Sequence, residues 1–247
     1  MLRLIRGEFY RVLHKKSTYV YFGFLGVAYF LLAFIRSGGF NEETIIKDAL
    51  TFSSFLPALV GGFLFAAIYT DDLISGSLTT LVGFGTRKAT IVGAKALVMT
   101  GFSAIVFALV PVAFYAAHAV AGWPASASTM ATLYAIATKY LLATIAYAVL
   151  TGIAVYGLQR ATFAMVTFIL LAFNMVGGLV TVFLANILGA ELATPITDRL
   201  ISGLTDRIFL GLVGSGSLAA PIIEYLAYLT IAAALSVIVF RKKEMEF

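Results

Sequence analysis

Apolar residues in this chain run in long blocks rather than in the alternation of a half-buried strand. A helix needs about 20 such residues to cross about 30 Å of hydrocarbon. Six blocks meet that length, over 19–35, 52–70, 91–119, 130–158, 161–188 and 218–240. Blocks three to five exceed it, so tilt, kinks or interfacial extensions must absorb the excess. Pro111 marks an expected kink in the third. Before the first block, Leu2, Ile5, Phe9, Val12 and Leu13 recur at helical spacing opposite Arg3, Arg6, Arg11 and Lys15. That pattern predicts an amphipathic helix over 1–18, lying in the membrane interface.

Two further segments carry helical spacing. In 71–88, Asp71 or Asp72 can cap a short helix, Leu73, Leu78, Leu81 and Val82 form its apolar side, and Gly83 with Gly85 end it. In 189–217, Leu192, Ile196, Leu200, Leu204 and Ile208 recur every four residues among charges, as in a re-entrant or interfacial segment. The fold expected is an all-α integral membrane protein with one transmembrane domain over 1–247.

Composition narrows the class. Hydrophobic residues make up 61%, charged residues 12%, and mean hydropathy is +1.00. That leaves too little polar surface to cover a water-soluble globule, which excludes a soluble enzyme and a disordered chain. Cysteine is absent, so neither a disulfide framework nor a thiolate metal site is possible, and His14 and His118 alone make no multi-histidine centre. The net charge of +5 is a matter of sidedness rather than of nucleic acid. One side of the six blocks holds Arg3, Arg6, Arg11, Lys15, Lys16, Arg87, Lys88, Lys95, Arg160, Arg241, Lys242 and Lys243. The other holds Arg36, Lys47, Arg199 and Arg207. The positive-inside rule then puts both termini in the cytoplasm and 36–51, 120–129 and 189–217 outside. The start of the chain does not read as a cleavable signal peptide. No phosphate-binding Gly-rich loop occurs, so any ATP chemistry must come from another chain.

Lys139 and Glu224 fall inside blocks, where a charge costs about 2.5–3.5 kcal/mol at a helix centre. Either they snorkel outward, or they pair across spans four and six. Thr167, Asn174, Gly178 and Thr181 fall near one face of span five, and Ser54, Phe55 and Gly62 mark span two. Taken alone, these stripes read as small-residue helix packing. Glu8, among cations, either pairs with Arg11 or meets a basic site on a partner. An intramembrane serine hydrolase is excluded, because Ser75 and His118 lie a membrane apart and Ser215 sits in a Gly-Ser run. An ATP-independent transporter or channel stays open as the alternative, although it calls for inverted repeats or several intramembrane ionisable groups.

The run Met1-Leu-Arg-Leu-Ile-Arg-Gly-Glu-Phe-Tyr-Arg and the pattern Asp72-x-x-x-Gly76-Ser77-Leu78, followed by Arg87 and Lys95, resemble the ABC-2-type permeases, the membrane subunits of type-2 ABC exporters. Family members commonly carry Glu and Thr where this chain has Asp72 and Ser77. The resemblance implies a permease dimer, with itself or a sister permease, above two copies of a separate ABC ATPase that binds the ATP and magnesium. It implies docking of that ATPase on the N-terminal helix, with Glu8 and Arg11, and on a coupling helix carrying Asp71, Asp72, Gly76, Ser77 and Leu78, with Arg87 beyond it. It also implies that spans two and five line an outward pathway, in a bacterial plasma membrane, and the phenylalanines and small residues of those two stripes would suit an amphipathic substrate.

Overall fold

The computed structural model describes residues 1–35, 42–120 and 126–243. Arg36 and the start of the outer loop expected over 36–51 lie outside the described residues, as do 121–125 of the loop expected over 120–129.

All regular structure among the described residues is helical. Helix α1 is Leu2–His14, and α2 is the 20-residue apolar helix Lys16–Ile35. Helix α3, Ile45–Ser75, runs nearly unbroken for 31 residues. Helix α4 is Ser77–Gly83, α5 is Lys88–Val120 and α6 is Ala127–Leu158. They are followed by α7 (Ala161–Ala172), α8 (Met175–Leu188), α9 (Ala190–Thr197), α10 (Ile201–Leu212) and α11 (Ala219–Lys242). Helices α3, α5, α6 and α11 are each long and apolar enough to cross a membrane, and the pair α7–α8 makes a fifth if it is one span. Several such helices in one chain fit a multi-pass membrane protein.

Three expectations change in detail. The expected second span over 52–70 is only the middle of α3, because the helix carries through Asp71 to Ser75 before Gly76 (φ +67) turns the chain. Neither Asp71 nor Asp72 is therefore an N-cap, and the short helix expected over 71–88 is divided between the end of α3 and α4. The expected fifth span over 161–188 is bent by 61° between α7 and α8. Asn174 adopts a left-handed conformation there (φ 53), which Asn tolerates better than most residues. Pro111 lies within the continuous helix α5.

Helix α6 is the hub, packed against α3, α5, α7, α10 and α11. Its contact with α3 and α7 is close because Gly61 has no side chain: a Cβ there would lie 2.7 Å from Thr144 Cγ2 and 2.9 Å from Phe168 Cζ. A row of rings crosses this core, with Phe168 stacked on Phe65 (4.7 Å), Phe65 on Tyr69 (4.8 Å), and Tyr156 against Phe240 (4.8 Å). Helix α8, in contrast, buries none of its residues within the chain.

Candidate functional site

Two polar groupings interrupt this apolar bundle. The first lies where α1, the end of α3 and the start of α5 meet. The amphipathic pattern of α1 holds, and its apolar side packs on α5: Phe9 stacks on Phe102 at 4.5 Å. Gly101 permits the approach, since a Cβ there would meet Phe9 Cζ at 2.7 Å. That contact turns Glu8 inward. Arg11 donates to Glu8 and to Asp72, each at 2.6 Å. Lys95, 1% exposed, pairs with Asp72 and lies 3.4 Å from Glu8. Its ammonium also donates to the Ile68 carbonyl at 2.7 Å. Ile68 belongs to a π-helical turn, Ala66–Thr70, one of two in α3. Such turns shift backbone groups out of the regular helical ladder, and here one carbonyl of the turn becomes an acceptor for a side chain. At the rim, Lys15 pairs with Asp71.

The grouping is balanced, with Arg11, Lys15 and Lys95 facing Glu8, Asp71 and Asp72. Burial disfavours the Arg11 charge, but Asp72 and then Glu8 outweigh it, so its pKa is held above the usual guanidinium value. A buried carboxylate or ammonium is tolerable only with such partners. Of the residues expected to dock a partner, Glu8, Asp72 and Leu78 are buried and point inward. Glu8 thus takes the Arg11 pair weighed from sequence, and adds Lys95. Gly76 is the turn, Ser77 opens α4, and Arg87 is exposed. Next to Arg87, Lys88 donates to the carbonyls of Phe240 (2.7 Å) and Lys243 (2.9 Å), so the start of α5 closes the end of α11. The N-terminal helix, the 71–88 segment and the end of α11 therefore share one end of the bundle.

The second grouping lines a pocket of about 290 Å³. Ser54 and Phe55 of α3, Lys139 and Tyr147 of α6, Asn174 at the α7–α8 bend and Asp206 of α10 all face it. Pro57 lacks an N–H, and α3 is irregular at Ser54 and Phe55 just before it. Lys139 pairs with Asp206 and lies 5.0 Å from the Tyr140 ring and 5.8 Å from the Phe209 ring. Glu224 pairs with Arg207 at 3.0 Å. The pairing of Lys139 with Glu224 weighed from sequence is thus replaced by two pairs to neighbours on α10, because α10 packs against both α6 and α11.

Of the residues expected to line a pathway, Ser54, Phe55 and Asn174 come together here. Gly62 does not: it packs on α7, where a Cβ would stand 3.3 Å from Ile169 Cδ1. Thr167 and Thr181 bond carbonyls of their own helices, to Phe163 and Gly177, and Gly178 faces open space. The bend at Asn174 breaks the single face that their spacing would give on a straight helix.

From the sequence, Lys95 reads only as one of the basic residues on the expected cytoplasmic side and as part of the motif of the resemblance, and no spacing connects Asp206 to Lys139. The signal available for Lys95 is its place five residues into the apolar block 91–119. No protein-family model matches the chain, and no curated protein matches it.

Proposed function

We propose that this chain is the transmembrane permease subunit of an ATP-driven exporter, spanning the membrane six times with both ends in the cytoplasm. A separate ABC ATPase, in two copies, supplies ATP and magnesium, and the permease pairs with a second copy or a sister permease. The cargo is amphipathic and moves outward. The observation that carries this reading is the buried charge cluster of Glu8, Arg11, Asp72 and Lys95. It fastens an interfacial helix, the end of a spanning helix and the start of the next into one unit. A force applied to α1 or α4 is then delivered to α3 and α5 together, as a coupling element requires.

The cluster changes how docking is read. Glu8 and Asp72 act as internal fasteners, and the partner meets the outward residues Ile74, Phe84 and Arg87. Helix α8, apolar and without buried residues, is the face for the second permease.

A mild-detergent pull-down from the native membrane, with mass spectrometry, tests the reading. A stoichiometric soluble ATPase is the expected result. Recovery of the chain alone after cross-linking would overturn it and favour an ATP-independent transporter or channel.

A further inference from the structure

A second cavity adjoins the polar pocket. It is an apolar groove of about 730 Å³ between α2, α3 and α5. Its α2 wall runs from Thr18 to Gly26 and its α5 wall from Phe102 to Ala113. Eleven helical rises of 1.5 Å make the longer wall about 16 Å, roughly the hydrocarbon depth of one leaflet. Phe55 lines both the groove and the pocket. It is 48% exposed and sits in the irregular turn of α3 before Pro57.

We propose that the pocket and the groove are the two halves of one binding site for a single-chain zwitterionic amphiphile, with the head group in the pocket and the hydrocarbon chain in the groove. Phe55 is the shared wall, and rotation of its side chain joins the two. The pocket alone is the size of a head group and the groove alone is almost wholly apolar, so neither by itself is a complete small-molecule site.

The charge state of the head follows from the Lys139–Asp206 pair. An uncharged head gains nothing by separating the two. A cationic head that takes Asp206 strands the largely enclosed Lys139, and an anionic head that takes Lys139 leaves the half-exposed Asp206 without its partner. A zwitterion replaces both partners at once. Its anionic group meets the Lys139 ammonium. Its ammonium end meets Asp206, with the rings of Phe55, Phe173 and Tyr147 on the same walls to face a quaternary nitrogen. The inference concerns binding by the single chain and stands apart from any ATPase partner.

The test uses the purified chain in phosphatidylglycerol nanodiscs and radiolabelled lauroyl lysophosphatidylcholine. Saturable binding of one molecule per chain is expected. Lauroyl lysophosphatidylglycerol and glycerophosphocholine should each bind about tenfold or more weaker, one lacking the positive charge and the other the chain. Gly23 and Gly26 line the groove with nothing among the described residues within 4 Å of where a Cβ would stand. The double variant Gly23→Leu/Gly26→Leu adds bulk to the groove wall and should weaken lysophosphatidylcholine by about tenfold. Lys139→Met should weaken it by a similar factor. Unchanged affinity in the glycine variant would remove the chain from the groove. Equal affinity for the anionic lysolipid, or unchanged affinity in Lys139→Met, would remove the zwitterionic head from the pocket. Non-saturable uptake would make the groove ordinary lipid contact and overturn the proposal.

Discussion

Lys95 of α5 is paired with Asp72 at the end of α3, and both side chains are almost completely enclosed (1% and 3% exposed). The pair joins two helices that are consecutive across the 71–88 segment. Arg11 brings in the N-terminal helix by donating to the other oxygen of the same carboxylate. Asp72 is thus the point at which three elements are fastened together.

Removing one partner of a buried pair leaves an uncompensated charge. Lys95→Met should therefore lower the stability of the purified chain by about 3–5 kcal/mol. The double variant Lys95→Met/Asp72→Leu should recover part of that loss, since it removes both charges. Thermal unfolding in detergent checks this. A double variant no more stable than Lys95→Met would show that the two residues are not coupled.

At Gly101 the Phe9 ring of α1 packs directly on the α5 backbone, and a leucine there would drive that ring out of its stack on Phe102. Gly101→Leu should release α1 from the bundle. The chain has no cysteine, so Val12→Cys, at a position 1% exposed, is a clean reporter. It should resist a water-soluble thiol reagent in the parent and react readily alongside Gly101→Leu. Equal protection in both would mean that α1 is held by the charge cluster alone.

The bend between α7 and α8 depends on a left-handed residue at Asn174. Asn174→Gly should keep it at little cost, because glycine adopts that conformation freely. Asn174→Val should cost roughly 1–2 kcal/mol or straighten the pair, since a β-branched residue resists positive φ. The distance between spin labels at Phe163 and Phe183 reports the angle. It should lengthen in the valine variant and stay constant in the glycine variant.

Charge reversal tests the ion-pair partners around the polar pocket. Lys139→Asp should destabilise the fold, and adding Asp206→Lys should restore much of the loss. Adding Glu224→Lys instead should not, because Glu224 faces Arg207. Melting temperatures of the three variants decide between the pairings.

Much of the architecture is legible in the linear pattern. The amphipathic spacing of Leu2, Ile5, Phe9 and Val12 gives α1 within a few residues, and the apolar blocks give α5, α6 and α11 with ends shifted by about three residues at most. The block at 161–188 does not reveal its own break, because Phe173 and Asn174 carry no Pro or Gly signal and the block is apolar on either side of them. In the polar groupings, the sequence points to Glu8, Arg11 and Asp72, and to Ser54, Phe55, Asn174 and Lys139. It does not say which way they face.

The sequence by itself determined the all-helical apolar class, the amphipathic N-terminal helix and the gathering of basic residues at one end of the blocks. These depend on local composition and on a 3.6-residue period, which are readable along the chain. The tertiary structure decided the partners of the buried charges, the bend at Asn174 and the meeting of the pocket and the groove at Phe55. Those depend on which helices lie side by side. Arg11 and Asp72 are 61 residues apart in sequence, and only lateral packing brings them to 2.6 Å.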